Sequence, residues 1–282
     1  MTTVPFLRVM RVNVKDVFRL RNLILTVFIF SLMGLLGAYI ISEPSSYPSN
    51  VWDVLFFTFA GPPIQSESFF EFIFWFLPFL MFFYLFGNNA EEELSRRGDT
   101  IIPLIGSRRK WWLGKVVTLL LISIVYMLIG ISTVLLVGAI FFPFSTKLST
   151  TLLQYVPNGI GVISFVGLIF LLYTSTLFAL SFVQTVLAVM WRNSFTALIF
   201  VAALMVVSWV FGTNRVHIVP WLPGSQAILL RHTLFEPSVP HFNLSFSLFY
   251  NLTIILISFV VGFLYIRRMD ILKETIDIHT GG

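Results

Sequence analysis

Residues Asn88 to Phe142 read NNAEEELSRRGDTIIPLIGSRRKWWLGK as far as Lys115, and then VVTLLLISIVYMLIGISTVLLVGAIFF. The first part is a polar island that holds six of the eighteen Lys and Arg residues and four of the thirteen Asp and Glu. The second part is 27 residues without a charge. As a helix rising 1.5 Å per residue it is about 40 Å long, more than the roughly 30 Å of hydrocarbon in a bilayer. Composition extends this reading to the whole chain. Its 282 residues are 57% hydrophobic, 17% aromatic and 11% charged, with a mean hydropathy of +0.91. A globule of this size has no interior for 32 Phe residues, whereas lipid solvates them. The expected class is an all-α integral membrane protein with one membrane domain.

Upstream of the island, Phe69 to Phe86 forms a second apolar run, with Glu71 near its outer end and Pro78 as a kink site. Before it, Ser42 to Glu67 contains Pro44, Pro48, Pro62 and Pro63 and no basic residue. Its apolar part, Val54 to Ala60, suits a dip into the outer leaflet. Leu23 to Ile41 is the first span. Residues Val4 to Asn22 read as an amphipathic elbow helix, because Arg8, Arg11, Lys15 and Arg19 recur at helical steps on one face. The alternative is a basic flank that only orients the next span.

Downstream, an outer loop from Pro143 to Pro157 leads to a long fourth run, Val162 to Met190. Trp191-Arg192-Asn193 is a tight turn, and Phe195 to Phe211 a short fifth span. The irregular stretch Gly212 to Ser245 contains a semi-apolar middle, Gly224 to Phe235, which is expected to form short re-entrant helices. Phe246 to Ile266 completes six spans, stopped by Arg267 and Arg268. The aromatic load, including Phe69, Phe70, Phe72, Phe74, Trp75 and Phe76, is expected to be mostly lipid contact.

Charge sets the expected orientation. With both termini in the cytoplasm, fifteen Lys and Arg lie inside and three (Lys147, Arg215, Arg231) outside, which satisfies the positive-inside rule and makes the island cytoplasmic. Several chemistries are excluded or weak. There is no cysteine, so no disulfide or thiolate site exists. The N-terminal residues lack the apolar core of a cleavable signal. His217, His232 and His241 are spaced unlike ligands on one helix face and read as surface or interfacial. Acids near the centre of the spans mark ion relays, and none is found there.

The island resembles the large cytoplasmic loop of type-2 ABC exporter permeases. The matching features are the acidic run Glu91-Glu92-Glu93, then Gly98-Asp99-Thr100, Ile101-Ile102-Pro103-Leu104, Ser107-Arg108-Arg109 and Gly114-Lys115. Asp99 between the glycine and the threonine, and Leu104-Ile105-Gly106 in place of a Leu-Leu step and a proline, depart from that pattern. The order of elements agrees over nearly the whole chain: elbow helix, six spans, a coupling helix between spans 2 and 3, and re-entrant helices before span 6.

The resemblance implies a permease subunit, half of an export pathway, paired with a second permease chain and coupled to an ABC ATP-binding subunit. ATP and magnesium would be held by that partner. This chain has no Walker loop: its only Gly-Lys pair, Gly114-Lys115, is followed by Val116 and has Arg109 where the first glycine belongs. The coupling residues implied are Glu91, Glu92, Glu93, Arg96, Arg97, Gly98, Thr100, Ile101, Leu104, Arg108 and Arg109. The charges offer ion pairs, while Ile101, Ile102 and Leu104 offer an apolar knob. Tyr173, Thr176 and Gln184 in the polar fourth span are candidate pathway-lining residues, with helix packing as their alternative role. The apolar spans suit a lipid, amphiphilic peptide or hydrophobic antibiotic as cargo. Partners implied are therefore the ATPase, a second permease chain and membrane lipid, with no nucleic acid.

Two competing readings share the island. Glu91-Glu92-x-x-x-Arg96 matches one element of CAAX-type intramembrane endopeptidases, but no histidine in a span follows a Phe-x-x-x spacing, so that chemistry lacks its other parts. A non-transporting scaffold or sensor that recruits a cytoplasmic partner is the remaining alternative.

Overall fold

The computed structural model describes residues 19–42, 48–66, 68–95, 105, 107–156 and 159–269. Among these residues every regular element is helical. In chain order they are α1 (Leu20–Ser42), α2 (Val51–Phe59), α3 (Phe69–Phe86), α4 (89–95), α5 (Arg108–Phe141), α6 (Val162–Trp191), α7 (Ser194–Asn214) and α8 (Leu244–Arg268). Short 3-10 turns cover Leu152–Gln154, Val216–Trp221, Gly224–Ala227 and Leu229–Arg231. Six segments are long and apolar enough to cross a membrane: α1, α3 with α4, α5, α6, α7 and α8. The protein is an all-α multi-pass membrane protein.

Local sequence explains most of the boundaries. Asn50, Ser68, Asn193 and Asn243 each sit in extended conformation one residue before a helix, and each side chain accepts an early backbone N–H. Asn50 and Asp53 complete a capping box on α2. Arg192 between α6 and α7 adopts a left-handed conformation (φ 54°), which turns the chain sharply.

The helices run past the apolar runs that mark them. α5 begins at Arg108, eight residues before the uncharged stretch, so the basic end of the island is the first two turns of a 34-residue helix. Charge marks where hydrocarbon ends, while backbone hydrogen bonding continues into water. Likewise Leu20 to Asn22, assigned to the elbow, open the first span, and Asn22 is buried there. Residues 4–18 of the elbow, including Arg8, Arg11 and Lys15, lie outside the described residues, and Arg19 is exposed just before α1. α7 and α8 extend beyond their expected limits at both ends.

α6 is the central helix and packs against α3, α5, α7 and α8, while α5 also contacts α1, α2 and α8. Polar groups join the helices where lipid offers no partner. The Asn251 amide of α8 donates to Ser175 and Thr176 of α6, each at 3.0 Å. Tyr126 of α5 donates to the Pro78 carbonyl at 2.8 Å, and α3 runs unbroken through Pro78.

The aromatic load is core more than lipid contact. Phe69 and Phe70 are exposed, but Phe72, Phe74, Trp75, Phe79, Phe82, Phe83 and Phe86 are buried. α3 packs against α1, α2, α5, α6 and α7, which covers these rings with protein. Phe30, Phe59, Phe79, Phe82, Tyr126 and Tyr173 form a chain of ring contacts between 5.0 and 6.0 Å.

α5 and α8 cross where Gly262 faces Trp112. A Cβ at Gly262 would lie 2.2 Å from the Trp112 ring, and that ring is fully buried against Phe182. A rigid indole has nowhere to go. Gly262→Ala is expected to cost about 1–3 kcal/mol as overpacking, read as a lower melting temperature in detergent. An unchanged melt would mean that the crossing is looser than described.

Candidate functional site

The island end of the bundle begins with a turn. After Gly87 and Asn88 the chain re-enters helix as α4, whose amide at Glu92 bonds the Asn88 carbonyl at 3.1 Å. Gln184 of α6 fixes this turn by donating to the Phe83 carbonyl at 3.1 Å. Taken together, α3 and α4 extend from Phe69 to Ser95, 27 residues. α5 runs antiparallel to them over 34 residues, about 50 Å of helix. Both exceed the hydrocarbon thickness.

The three glutamates have different surroundings. Glu93 forms an ion pair with Lys115, and its other oxygen accepts from the Trp111 indole at 2.7 Å. The Lys115 ammonium also lies 5.8 Å from the Trp111 ring centroid. Lys115 and Trp111 are buried, so this is a desolvated clamp between α4 and α5. Glu91 accepts from Ser194, at the start of α7, at 2.7 Å. Glu92 is exposed. One acidic run thus serves α5, α7 and solvent.

The basic residues are also committed unequally. Arg108 donates to the carbonyls of Ile266 and Arg267 at 3.3 and 3.1 Å, which neutralises the negative end of α8. The Arg109 guanidinium lies 5.6 Å from the centroid of the Phe263 ring. Ala90, Ile105, Trp111 and Trp112 are buried in the main core, so much of the island is packed. Arg96, Arg97, Gly98, Thr100, Ile101 and Leu104 lie outside the described residues.

The candidate pathway residues are all buried within the chain. Tyr173 stacks on Phe79 at 5.2 Å, Thr176 receives Asn251, and Gln184 holds the α3–α4 turn. Each touches a neighbouring helix, the packing role that small polar residues take in membranes.

The opposite end contains what the sequence reading missed. Asp53 is fully buried and accepts from the Asn50 amide at 2.7 Å and from Ser149 at 2.5 Å. Burial raises its carboxyl, and these hydrogen bonds oppose the rise. The Asn50 side chain donates through Nδ2 to the Lys147 carbonyl and the Trp52 indole to the Ser145 carbonyl, so α2 pins the 143–156 loop.

Arg231 was expected among the outer charges, yet it has no exposed surface. It donates to the carbonyls of Pro62 and Ser208 at 3.2 and 3.0 Å and to Ser225 at 3.2 Å. Burial lowers its guanidinium to about 10, so it stays cationic at neutral pH. A Cβ on Gly212 would lie 1.9 Å from its Nη1, so the glycine makes room for it. The expected short helices are present as the 3-10 turns, and Arg231 fastens them to α7 and to the turn after α2. The one sequence signal was its place inside the semi-apolar stretch Gly224 to Phe235.

His217 and His241 are exposed, as expected, but His232 is not. It is 2% exposed, stacks on Phe242 at 4.2 Å, and contacts the Ile228 carbonyl through Nδ1 and Ser247 through Nε2. Burial pushes it down to about 4, against the raising effect of the Ile228 carbonyl. The fold therefore takes it neutral, with Nδ1 donating and Nε2 accepting from Ser247. Between its unfolded value near 6.5 and about 4 the unfolded chain binds the extra proton. Stability is full above 6.5 and falls as pH drops through that window, by about 3 kcal/mol at the lower end. Melting in detergent from pH 7 to 4 is expected to show this slope, and His232→Gln to flatten it. An unchanged slope in the variant would assign the acid sensitivity to other groups.

Residues 23–272 match the family described as a protein of unknown function, DUF2705. No curated protein and no solved structure matches the chain.

Proposed function

Since the chain belongs to the DUF2705 family, whose description names no activity, we propose its role from the island: it is the permease subunit of an ATP-driven exporter of the ABC type. Its island lies on the cytoplasmic side of the cell membrane, receives a separate ATP-binding subunit and passes that subunit's motion to the spans. A second permease chain completes the pathway, and the cargo is hydrophobic or amphiphilic.

One observation carries this reading. The island is wired to four spans: α4 continues α3, Glu93 grips α5, Glu91 holds α7, and Arg108 holds α8. A push on α4 or on the first turns of α5 is therefore delivered to several spans at once. A loop whose charges served only to set topology would need none of these connections. Such a lever biases an equilibrium between inward- and outward-open states when a partner binds one of them better.

The test is extraction of the tagged full chain from its native cells in mild detergent. A co-purifying subunit with a Walker loop is expected, whose ATP hydrolysis in liposomes rises with an exported amphiphile. Recovery of the chain with a cytoplasmic partner that hydrolyses no nucleotide would favour the scaffold or sensor, and would end the transport reading.

A further inference from the structure

At the island end, α5 starts beside the point where α8 finishes, and a groove opens between them. It is lined by Ser107, Arg108, Arg109, Phe263, Ile266 and Arg267. Three arginines, Arg108, Arg109 and Arg267, thus line it together with the apolar Phe263 and Ile266. Arg108 fixes the two walls by donating to the last carbonyls of α8. Arg109 lies over Phe263, and both Arg109 and Arg267 are exposed.

The surface below the groove is equally specific. Leu113 lies one helical turn inward from Arg109 on the same face of α5. Leu264 and Val260 lie one and two turns inward from Arg267 on the same face of α8. Leu113, Leu264 and Val260 are 45%, 46% and 52% exposed. Arg267 therefore caps an uncovered apolar strip on α8 and Arg109 an exposed leucine on α5, both on helices long and apolar enough to cross a membrane.

We propose that this groove binds the headgroup phosphate of one anionic phospholipid, whose acyl chains lie along Leu113 and along Leu264 and Val260. A guanidinium fork matches phosphate oxygens in geometry as well as charge. Basic pockets between spans at the membrane surface suit such headgroups. A soluble anion would use the arginines and leave the strips unused, which is why the lipid is the assigned occupant. The inference needs only the membrane fold and stands whether or not the chain is a permease.

The test titrates dioleoylphosphatidylglycerol into the detergent-solubilised full chain and counts bound lipid by native mass spectrometry. One tightly held molecule per chain is expected, with dioleoylphosphatidylcholine about tenfold weaker or more. The double variant Arg109→Gln/Arg267→Gln is expected to lose about tenfold in affinity. Lys110→Gln/Arg268→Gln removes the same charge beside the groove and is expected to stay within about twofold. Should the first double variant fail to fold, Arg267→Gln alone decides, with a loss of about threefold expected. Equal losses in both double variants would reduce the site to diffuse attraction and overturn it. So would equal binding of the zwitterionic lipid, or displacement of the bound lipid by equimolar inorganic phosphate.

Discussion

Arg231→Ala is expected to lower stability by about 3 kcal/mol. The residue is fully buried and makes three charge-assisted bonds, to Pro62, Ser208 and Ser225. Such bonds contribute roughly 1.5–3 kcal/mol each. Part of that is offset, because removing a buried cation also relieves its desolvation cost. The void left by the side chain tips the balance further toward loss. The same geometry sets a stricter condition. Gly212→Ala places its Cβ 1.9 Å from the guanidinium and is expected to destabilise the parent protein. In the Arg231→Ala background that clash is gone, and Gly212→Ala is expected to become neutral or stabilising by up to about 1 kcal/mol through helix propensity. Thermal melts of the four proteins complete the cycle. Additive effects would show that Gly212 and Arg231 do not share the site.

Glu93→Lys is expected to be the most damaging change in the island, at about 3 kcal/mol or more. It replaces the Lys115 ion pair with two ammonium groups in a buried setting and removes the acceptor of the Trp111 indole. Glu92→Lys, one residue away and exposed, is expected to stay within about 0.5 kcal/mol. Reversal of the whole acidic run would therefore mix two effects. Melting of the two single variants in detergent separates them. Equal tolerance of both would mean that the clamp between α4 and α5 contributes nothing.

The membrane class and the six spans were legible in the sequence because uncharged runs of about twenty residues have one stable environment. The helix ends were less so: at Arg108, a hydropathy boundary is not a hydrogen-bonding boundary. The island was visible as a charge anomaly, yet nothing in Glu91-Glu92-Glu93 distinguishes the clamp, the tie to α7 and the exposed carboxylate. Those roles follow from which face of α4 meets α5 and α7. The burial of Arg231 and His232 was hidden in the sequence for a related reason. An irregular outer stretch reads as solvent-facing, and only its packing buries them, Arg231 between α7 and the turn after α2 and His232 against Phe242 and Ser247. Tyr173, Thr176 and Gln184 were singled out by polarity alone, which does not separate a helix contact from a pathway wall.

The proposed docking of an ATP-binding subunit on the island has a direct test. The chain contains no cysteine, so Glu92→Cys introduces a single thiol at the exposed point of the acidic run. Native membranes carrying this variant are treated with a short bifunctional thiol–amine cross-linker, and the products are identified by mass spectrometry. One dominant adduct with a Walker-loop polypeptide is expected, its yield changed by ATP. Adducts only with lipid-facing membrane proteins, or none at all, would contradict it.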